Sequence, residues 1–393
     1  MLAALRLIVL ALAMGPLVFY LLCLYCIIDY FRSVRRLSPR SHSFVPPASI
    51  LKPVRGVDRD AYENFASFCR LDYPEYELIF AAADPDDPVI PIIERLQRDF
   101  PERAIRIVIA RESFGENKKV NNLAAAARAA KYDLLVMADT DVCVERDYLR
   151  EVAAPFTDPR VGAVTAFYRC MGGGTLAADL DMLGMCADSV PDALVARKLE
   201  GKMQFAFGWT MATTKKVLAE IGGWEAMANH HSDDFELGNR IAKGGHRVEL
   251  MRKPVWMVFP EERAAEFLRH EMRWAIGLRN VRPTGYLGMI FTHGLPLAVA
   301  ATIVAASAGW WGLAASYLVG YLALRLSVAW TAGVWGLGDA GIAAKLWLLP
   351  VRDAISAAVW FAGFFSDKIR WRGLEYRVKK GILVAVEGGH RAE

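Results

Sequence analysis

Asp139-Thr140-Asp141 closes the stretch MADTD. Two carboxylates at i and i+2 can face one ligand where a chain turns at the end of a strand. A hard divalent cation, Mg²⁺ or Mn²⁺, prefers such oxygens and bridges substrate phosphates. A solvated turn uses the same residues, so this pair gains meaning only from its neighbours. AAADPDDP holds Asp84, Asp86 and Asp87; it reads as turn chemistry or as carboxylates that accept the imino N–H of a uracil ring. ENKKVNNL sets Asn117, Lys118, Lys119, Asn121 and Asn122 at a helix start, suited either to capping or to phosphate and nucleotide hydroxyls.

NHHSDDFELGNRIA carries Asp233 and Asp234 into a helix. Ser232 or Asp233 can cap that helix, and the paired acids can instead supply a general base. His230 and His231 lack the ligand spacing of a zinc site. FLRHEMRWAIGLRNVRP gathers His270, Arg273, Trp274, Arg279 and Arg282 just ahead of a long apolar run. Such cations serve as a topology signal or as part of a site.

The elements around these residues alternate. ASILKPVRG, YELIFAAAD, AIRIVIA and LLVMAD read as strands; AYENFASFCRL, PVIPIIERLQRDF and KVNNLAAAARAAKYD read as helices. Strands alternating with helices imply a mostly parallel sheet, in which ligand groups gather beyond the carboxyl ends of the strands. Two of these strands end at acids.

The chain has 393 residues, 54% hydrophobic and 23% charged. That mixture predicts a soluble domain joined to membrane segments. A net charge of +4 gives no nucleic-acid footprint, so no nucleic-acid partner is expected. Cys23-x-x-Cys26 lies inside an apolar helix, and the other four cysteines are scattered, as in a reducing compartment. Residues 7–28 carry no charge and are long enough to cross a hydrocarbon core about 30 Å thick as a retained anchor. Arg32, Arg35, Arg36 and Arg40 follow and place the C-terminal side in the cytoplasm. Residues 288–309 read as one span and Trp310 to about Leu337 as a second, forming a hairpin. Residues 346–365 read as a broken, re-entrant or interfacial segment. Arg325, inside the second span, is expected to snorkel.

Individually soft, these motifs have a telling order. SILKPVRGVD, LDYPEYELIFAAADPDDP, KVNNLAAAARAAKYDLLVMADTD, FGWTMATTKKVLAEIGGW, SDDFELGNRIAKGG, HEMRW and WRGLEYRV together resemble a family 2-type glycosyltransferase. The resemblance is closer to the ceramide glucosyltransferase family and its bacterial hopanoid glycosyltransferase relatives. It runs from about residue 49 to 378.

It implies an α/β GT-A fold with N- and C-terminal transmembrane helices. The implied layout is an anchor at 1–31, a cytoplasmic catalytic domain at 32–285, membrane helices at 286–366 and a basic cytoplasmic tail at 367–393. Asp84 and Asp87 are implied in nucleotide contact, with Lys119 and Asn122 also on the substrate side. Asp139 and Asp141 fall in the metal and diphosphate motif. Asp234 takes the position of the base, with Asp233 beside it. Arg273 is implied as a phosphate-stabilising cation and Trp274 as an aromatic wall. His270 stands where the family pattern has Gln or Arg, so its part in substrate binding is open.

The implied reaction is inverting transfer of glucose or N-acetylglucosamine from a UDP-sugar to a lipid hydroxyl at a bilayer, dependent on Mg²⁺ or Mn²⁺. Ceramide is the first candidate acceptor and a hopanoid polyol the second, in a bacterial inner membrane. A processive polysaccharide synthase and a non-catalytic scaffold or transporter are the competing readings. Residues 176–200 read as an acceptor-side amphipathic surface or as ordinary packed helix.

Overall fold

The computed structural model describes residues 1–37, 43–260, 263–371 and 374–386; Arg40 lies outside them. The first half alternates as expected: α1 (Leu2–Arg36), β1 (Ala48–Pro53), α2 (Ala61–Cys69), β2 (Tyr76–Ala82), α3 (Ile90–Asp99), β3 (Ala104–Ile109), α4 (Lys118–Ala129) and β4 (Leu134–Met137). Then follow β5 (Val142–Cys143), α5 (Tyr148–Ala153), β6 (Val161–Thr165), β7 (Tyr168–Gly172), α6 (Leu176–Gly184), α7 (Val190–Leu199), β8 (Met211–Thr214), α8 (Lys215–Glu220), α9 (Asp233–Lys243), β9 (Arg247–Leu250) and β10 (Val255–Phe259).

The main sheet runs β3-β2-β1-β4-β8-β6-β9. β8 alone opposes its neighbours; the other pairings are parallel. Both faces are covered, so successive residues enter different cores. Ile50 and Leu78 pack with Phe65, Phe68 and Phe80 on one side. Leu51 and Ile79 pack with Leu123, Met137 and Trp224 on the other. This double burial is why the central strands read as continuous apolar runs. A second sheet, β5-β10-β7, fixes the chain just after the Asp139–Asp141 turn, where Val258 N–H donates to the Asp141 carbonyl (2.8 Å).

Beyond the sheet come α10 (Ala264–Val281), α11 (Pro283–Gly288), α12 (Gly294–Ser307), α13 (Trp311–Ala329) and α14 (Leu349–Ala362). α1 and the continuous helical stretch Trp311–Leu337 are each long and apolar enough to cross a membrane. The expected span at 288–309 is instead bent by 40° between Phe291 and Gly294. The Tyr20 phenol covers that break: it donates to the Thr292 carbonyl (2.9 Å) and accepts from Gly294 N–H (3.0 Å). Backbone groups freed in a helix at membrane depth need such a partner. The third segment, expected over 346–365, is mostly the single helix α14, entered from a 3₁₀ stretch at Ala340–Leu348.

Residues expected as a basic tail form a three-stranded antiparallel sheet: β11 (Lys368–Trp371), β12 (Leu374–Lys379) and β13 (Ile382–Ala385). Ile369, Tyr376, Val378 and Leu383 pack against Ile276 of α10. Period-2 alternation puts Lys368 and Arg370 on the exposed face, which is why the composition looks like a tail.

Arg325 does not snorkel. It is buried, and its guanidinium pairs with Asp353 of α14 (2.7 Å), with Asp188 and with the Ala187 carbonyl. Arg352 continues the chain of charges to Asp188 (3.5 Å) and to Glu271 of α10 (2.8 Å). Its guanidinium crosses where Gly184 has no side chain. The 176–200 segment is largely buried α6, a π-helical turn and α7, so ordinary packing describes most of it. Arg279 and Arg282, expected as topology charges, also have structural partners: the Gly363 carbonyl and Glu200 (2.7 Å) respectively.

Candidate active site

Asn117 caps α4, its side chain accepting Val120 N–H (3.2 Å), as the sequence suggested. That start aims Lys119 across the carboxyl edge of the sheet. Its ammonium lies 2.7 Å from Asp139 and 3.4 Å from Asp233. Burial works against the charge on Lys119, but Asp139, Asp233 and Asp234 outweigh it and hold the ammonium protonated, well above the ordinary lysine range.

Asp234, one residue further into α9, is held at both oxygens. Oδ1 accepts Phe235 N–H (2.7 Å) and Oδ2 accepts Gly208 N–H (3.1 Å). Burial, then the charge of Asp233, raises its pKa to about 6. Ser232 occupies the cap position without making a side-chain cap bond, and Asp234 instead takes a first-turn N–H of α9.

Gly208 joins the parts. A β-carbon there would meet Asp139 Oδ2 at 3.1 Å, Lys119 Nζ at 3.2 Å and Asp234 Oδ2 at 3.5 Å. Three groups from three separate elements thus converge on a space that only glycine leaves open. The flanking residues are aromatic. Trp209 stacks on Phe207 (5.1 Å between centroids, 26°) and on Trp274 (6.2 Å, 23°). Trp274 remains 42% exposed.

Asp139 and Asp141 sit on a turn braced from below. Lys52, fully buried at the end of β1, donates to the Asp139 carbonyl (2.9 Å) and lies over the Phe68 ring at 3.8 Å. Burial brings its pKa down to about 7. Thr140 donates to Asp58. Burial, then Asp139 and Asp58, pushes the Asp141 carboxyl up to about 7, and its Oδ1 is buried without a hydrogen-bond partner. A cluster of carboxylates with one buried oxygen left unbonded is a donor set that fits a hard divalent metal. Another candidate group, Cys170, Cys186 and Asp339, suits one less well. Asp339 already accepts N–H bonds from Cys170 (2.9 Å) and Gly341 (3.1 Å).

The remaining expected residues are more dispersed. Asp87 is buried and takes Gly56 N–H (2.9 Å) and Val89 N–H (3.0 Å). Asn122 donates to the Val54 carbonyl (3.2 Å). Both therefore shape the loop after β1, whereas Asp84 is exposed. His270 pairs with buried Asp181 (3.2 Å) and meets the Trp274 edge at 5.7 Å. Arg273 points toward the C-terminal sheet, 5.7 Å over Trp371; burial, then the Arg273 charge, keeps His231 neutral, with a pKa down to about 3. Sequence reasoning missed Lys52, Asp58, Gly208 and Trp209. SILKP and FGWT both belong to the resembling stretches, but neither carries an acid–base signal.

The sequence profile described as glycosyl transferase family 21 matches residues 8–384. Ceramide glucosyltransferase 3 of Caenorhabditis elegans is 26% identical over 273 residues, covering 65% of this chain and 56% of its own. Ceramide glucosyltransferase of Komagataella phaffii is 34% identical over 123 residues, 29% of this chain and 24% of its own. The chain thus spans about half, or less, of the curated relatives it matches. Among solved structures, the mannosyltransferase PcManGT from Pyrobaculum calidifontis, in complex with GDP-Man and Mn²⁺, superposes with a TM-score of 0.57 at 18% identity. That likeness covers 91% of this chain and 99% of that one, and it concerns the fold.

Proposed function

The chain belongs to glycosyl transferase family 21, and from that premise we propose an inverting, membrane-bound hexosyltransferase that moves a sugar from a UDP-sugar to a lipid hydroxyl. Ceramide is the favoured acceptor, the molecule named in its relatives, with glucose the favoured sugar. The observation that carries the reading is the convergence of Asp139, Lys119 and Asp234 on the space at Gly208. It sets a phosphate-side cluster and a carboxylate base on two sides of one opening.

Asp234 takes the proton from the attacking hydroxyl. Two N–H bonds fix its orientation, and a pKa near 6 leaves it ionised at neutral pH yet more basic than an exposed aspartate. Lys119 holds its charge between Asp139 and Asp233 and faces the diphosphate as it departs. Asp141 and Asp139 would hold Mg²⁺ or Mn²⁺, which supplies charge neutralisation for the leaving diphosphate. The Trp274–Trp209–Phe207 stack gives the sugar an apolar face to rest on and excludes water. Arg273 packs over Trp371 on the C-terminal sheet side, and would have to turn from that ring to bring its charge to the phosphates. One base and one displacement invert the anomeric centre, so an α-linked donor gives a β-linked product.

α1 and the helices after α10 bracket this domain and hold the opening at a bilayer, on its cytoplasmic side by the flanking arginines. The test is product analysis. The purified full chain in lipid nanodiscs receives UDP-glucose or UDP-N-acetylglucosamine, with ceramide or a hopanoid polyol. Mass and anomeric coupling should identify a β-glucosylceramide. A hopanoid glycoside changes the acceptor, a long polymer points to a synthase, and no transfer to any lipid overturns the proposal.

A further inference from the structure

We propose that a basic cleft at the juxtamembrane end of α1 binds the phosphate headgroup of an anionic phospholipid. The cleft has a volume of about 320 Å³ and is open to solvent. It shares no residue with the candidate active site. One wall is the end of α1, Cys26 to Ser33; the other is the last turn of α7, Gly201 and Lys202, and β9.

Depth is the first argument. The uncharged run of α1 ends at Ile28, and the cleft straddles that point, with buried Cys26 on one side and Asp29 and Ser33 on the other. With α1 across a bilayer, this is where hydrocarbon gives way to headgroups. Two apolar side chains at the same level lack protein cover: Tyr25 is 54% exposed and Leu199 is 71% exposed. Tyrosine beside a cation is the usual composition of a membrane interface. The Lys198 ammonium does sit 5.0 Å from the Tyr25 ring centroid and 3.0 Å from Asp29.

Charge is the second argument. Arg197, Lys198, Lys202 and Arg247 line the cleft, against Asp29 and Glu249. Existing contacts orient these cations. Arg197 lies over Tyr30 at 5.3 Å, Lys202 donates to the Ala242 carbonyl at 3.3 Å, and Arg247 is shared between Glu249 and, at 3.2 Å, Asp158. An ammonium has three donors and a guanidinium five, so these contacts leave donors for phosphate oxygens. Basic pockets between membrane helices on the cytoplasmic side have this chemistry.

The experiment places the full chain in nanodiscs of phosphatidylcholine alone, or of equal parts phosphatidylcholine and phosphatidylglycerol. Melting temperature and lipid retained in native mass spectra are read. Wild type should retain phosphatidylglycerol and melt higher in the mixed discs. Arg197→Ala/Lys202→Ala should melt like wild type in neutral discs and bind phosphatidylglycerol roughly 30-fold more weakly, since each lost charge near a lipid surface weakens binding about fivefold. The charge-preserving pair Arg197→Lys/Lys202→Arg should keep the effect, which guards against a folding defect. Arg32→Ala/Arg36→Ala, an equal charge loss at the same surface but outside the cleft, should weaken the general attraction to the mixed discs yet leave the retained phosphatidylglycerol in the native mass spectra. Equal loss in that control, or no preference for phosphatidylglycerol in wild type, overturns the site. The same shift from inorganic phosphate in neutral discs would assign the cleft to a free anion and overturn the lipid reading.

Discussion

Two clusters of charge, one joining α10, α13 and α14 and one at the edge of the main sheet, are built differently. In the membrane-side cluster each cation meets a carboxylate: Arg325 with Asp353 and Asp188, Arg352 with Asp188 and Glu271. At the sheet edge, Lys119 pairs with Asp139 and Asp233, while Asp141 and Asp234 have no ion-pair partner among the described residues. Asp141 and Asp234 are pushed to about 7 and about 6, and an Asp141 oxygen is left buried and unbonded. Buried carboxylates each held by a cation describe a joint between helices, whose loss costs stability. Surplus charge facing an opening describes a place kept for a ligand. The first should fail by unfolding and the second by losing turnover while folded.

The largest separation is expected from Asp141→Asn. Removing the surplus carboxylate should abolish metal-stimulated turnover by about 10³-fold, as several kcal/mol of charge stabilisation disappear. Its melting temperature should stay at or above wild type, since the acid is strained when unbound. Calorimetric titration with Mn²⁺ should show the lost binding. Arg325→Met tests the opposite side. Breaking one partner of a buried pair costs about 3–5 kcal/mol, read as a lower denaturation midpoint and a poor folded yield, and Arg325→Met/Asp353→Leu should recover much of it. If Arg325→Met instead melted normally but lost turnover, the two clusters would not divide as described.

Gly208→Ala is a smaller perturbation within the site. Its methyl would press on Asp139 Oδ2 and Lys119 Nζ, and a shift of about 1 Å in such a constellation costs about 10²-fold in rate. Stability should hardly change. The smallest effect is the pH profile. Asp234 must be deprotonated to act, so kcat/KM should rise with pH and level off above about 6. Below that it should fall about tenfold per pH unit. A rate flat from acid to neutral pH would remove Asp234 as the titrating base.

Much of this was written in the sequence. The four parallel strands announce themselves because both faces of the sheet are buried, and the acids at two of their ends follow from the fold's geometry. Other features depend on partners far away in the chain. The bend before Gly294 is stable because of Tyr20, and Arg325 is buried because Asp188 and Asp353 come to meet it. No local pattern around Arg325 distinguishes that from snorkelling. The C-terminal sheet hid behind its charged face. Gly208 was illegible for another reason: its contribution is an absent side chain, visible only once three elements converge on it.

The central claim is that Asp234 is the base opposite a donor held at Asp139 and Asp141. Asp234→Asn, purified as the full chain in nanodiscs, tests it by measuring UDP-glucose binding and single-turnover glycolipid formation on the same preparation. The account predicts donor binding near wild type and product formation reduced by about 10³-fold. Wild-type turnover in that variant would contradict it.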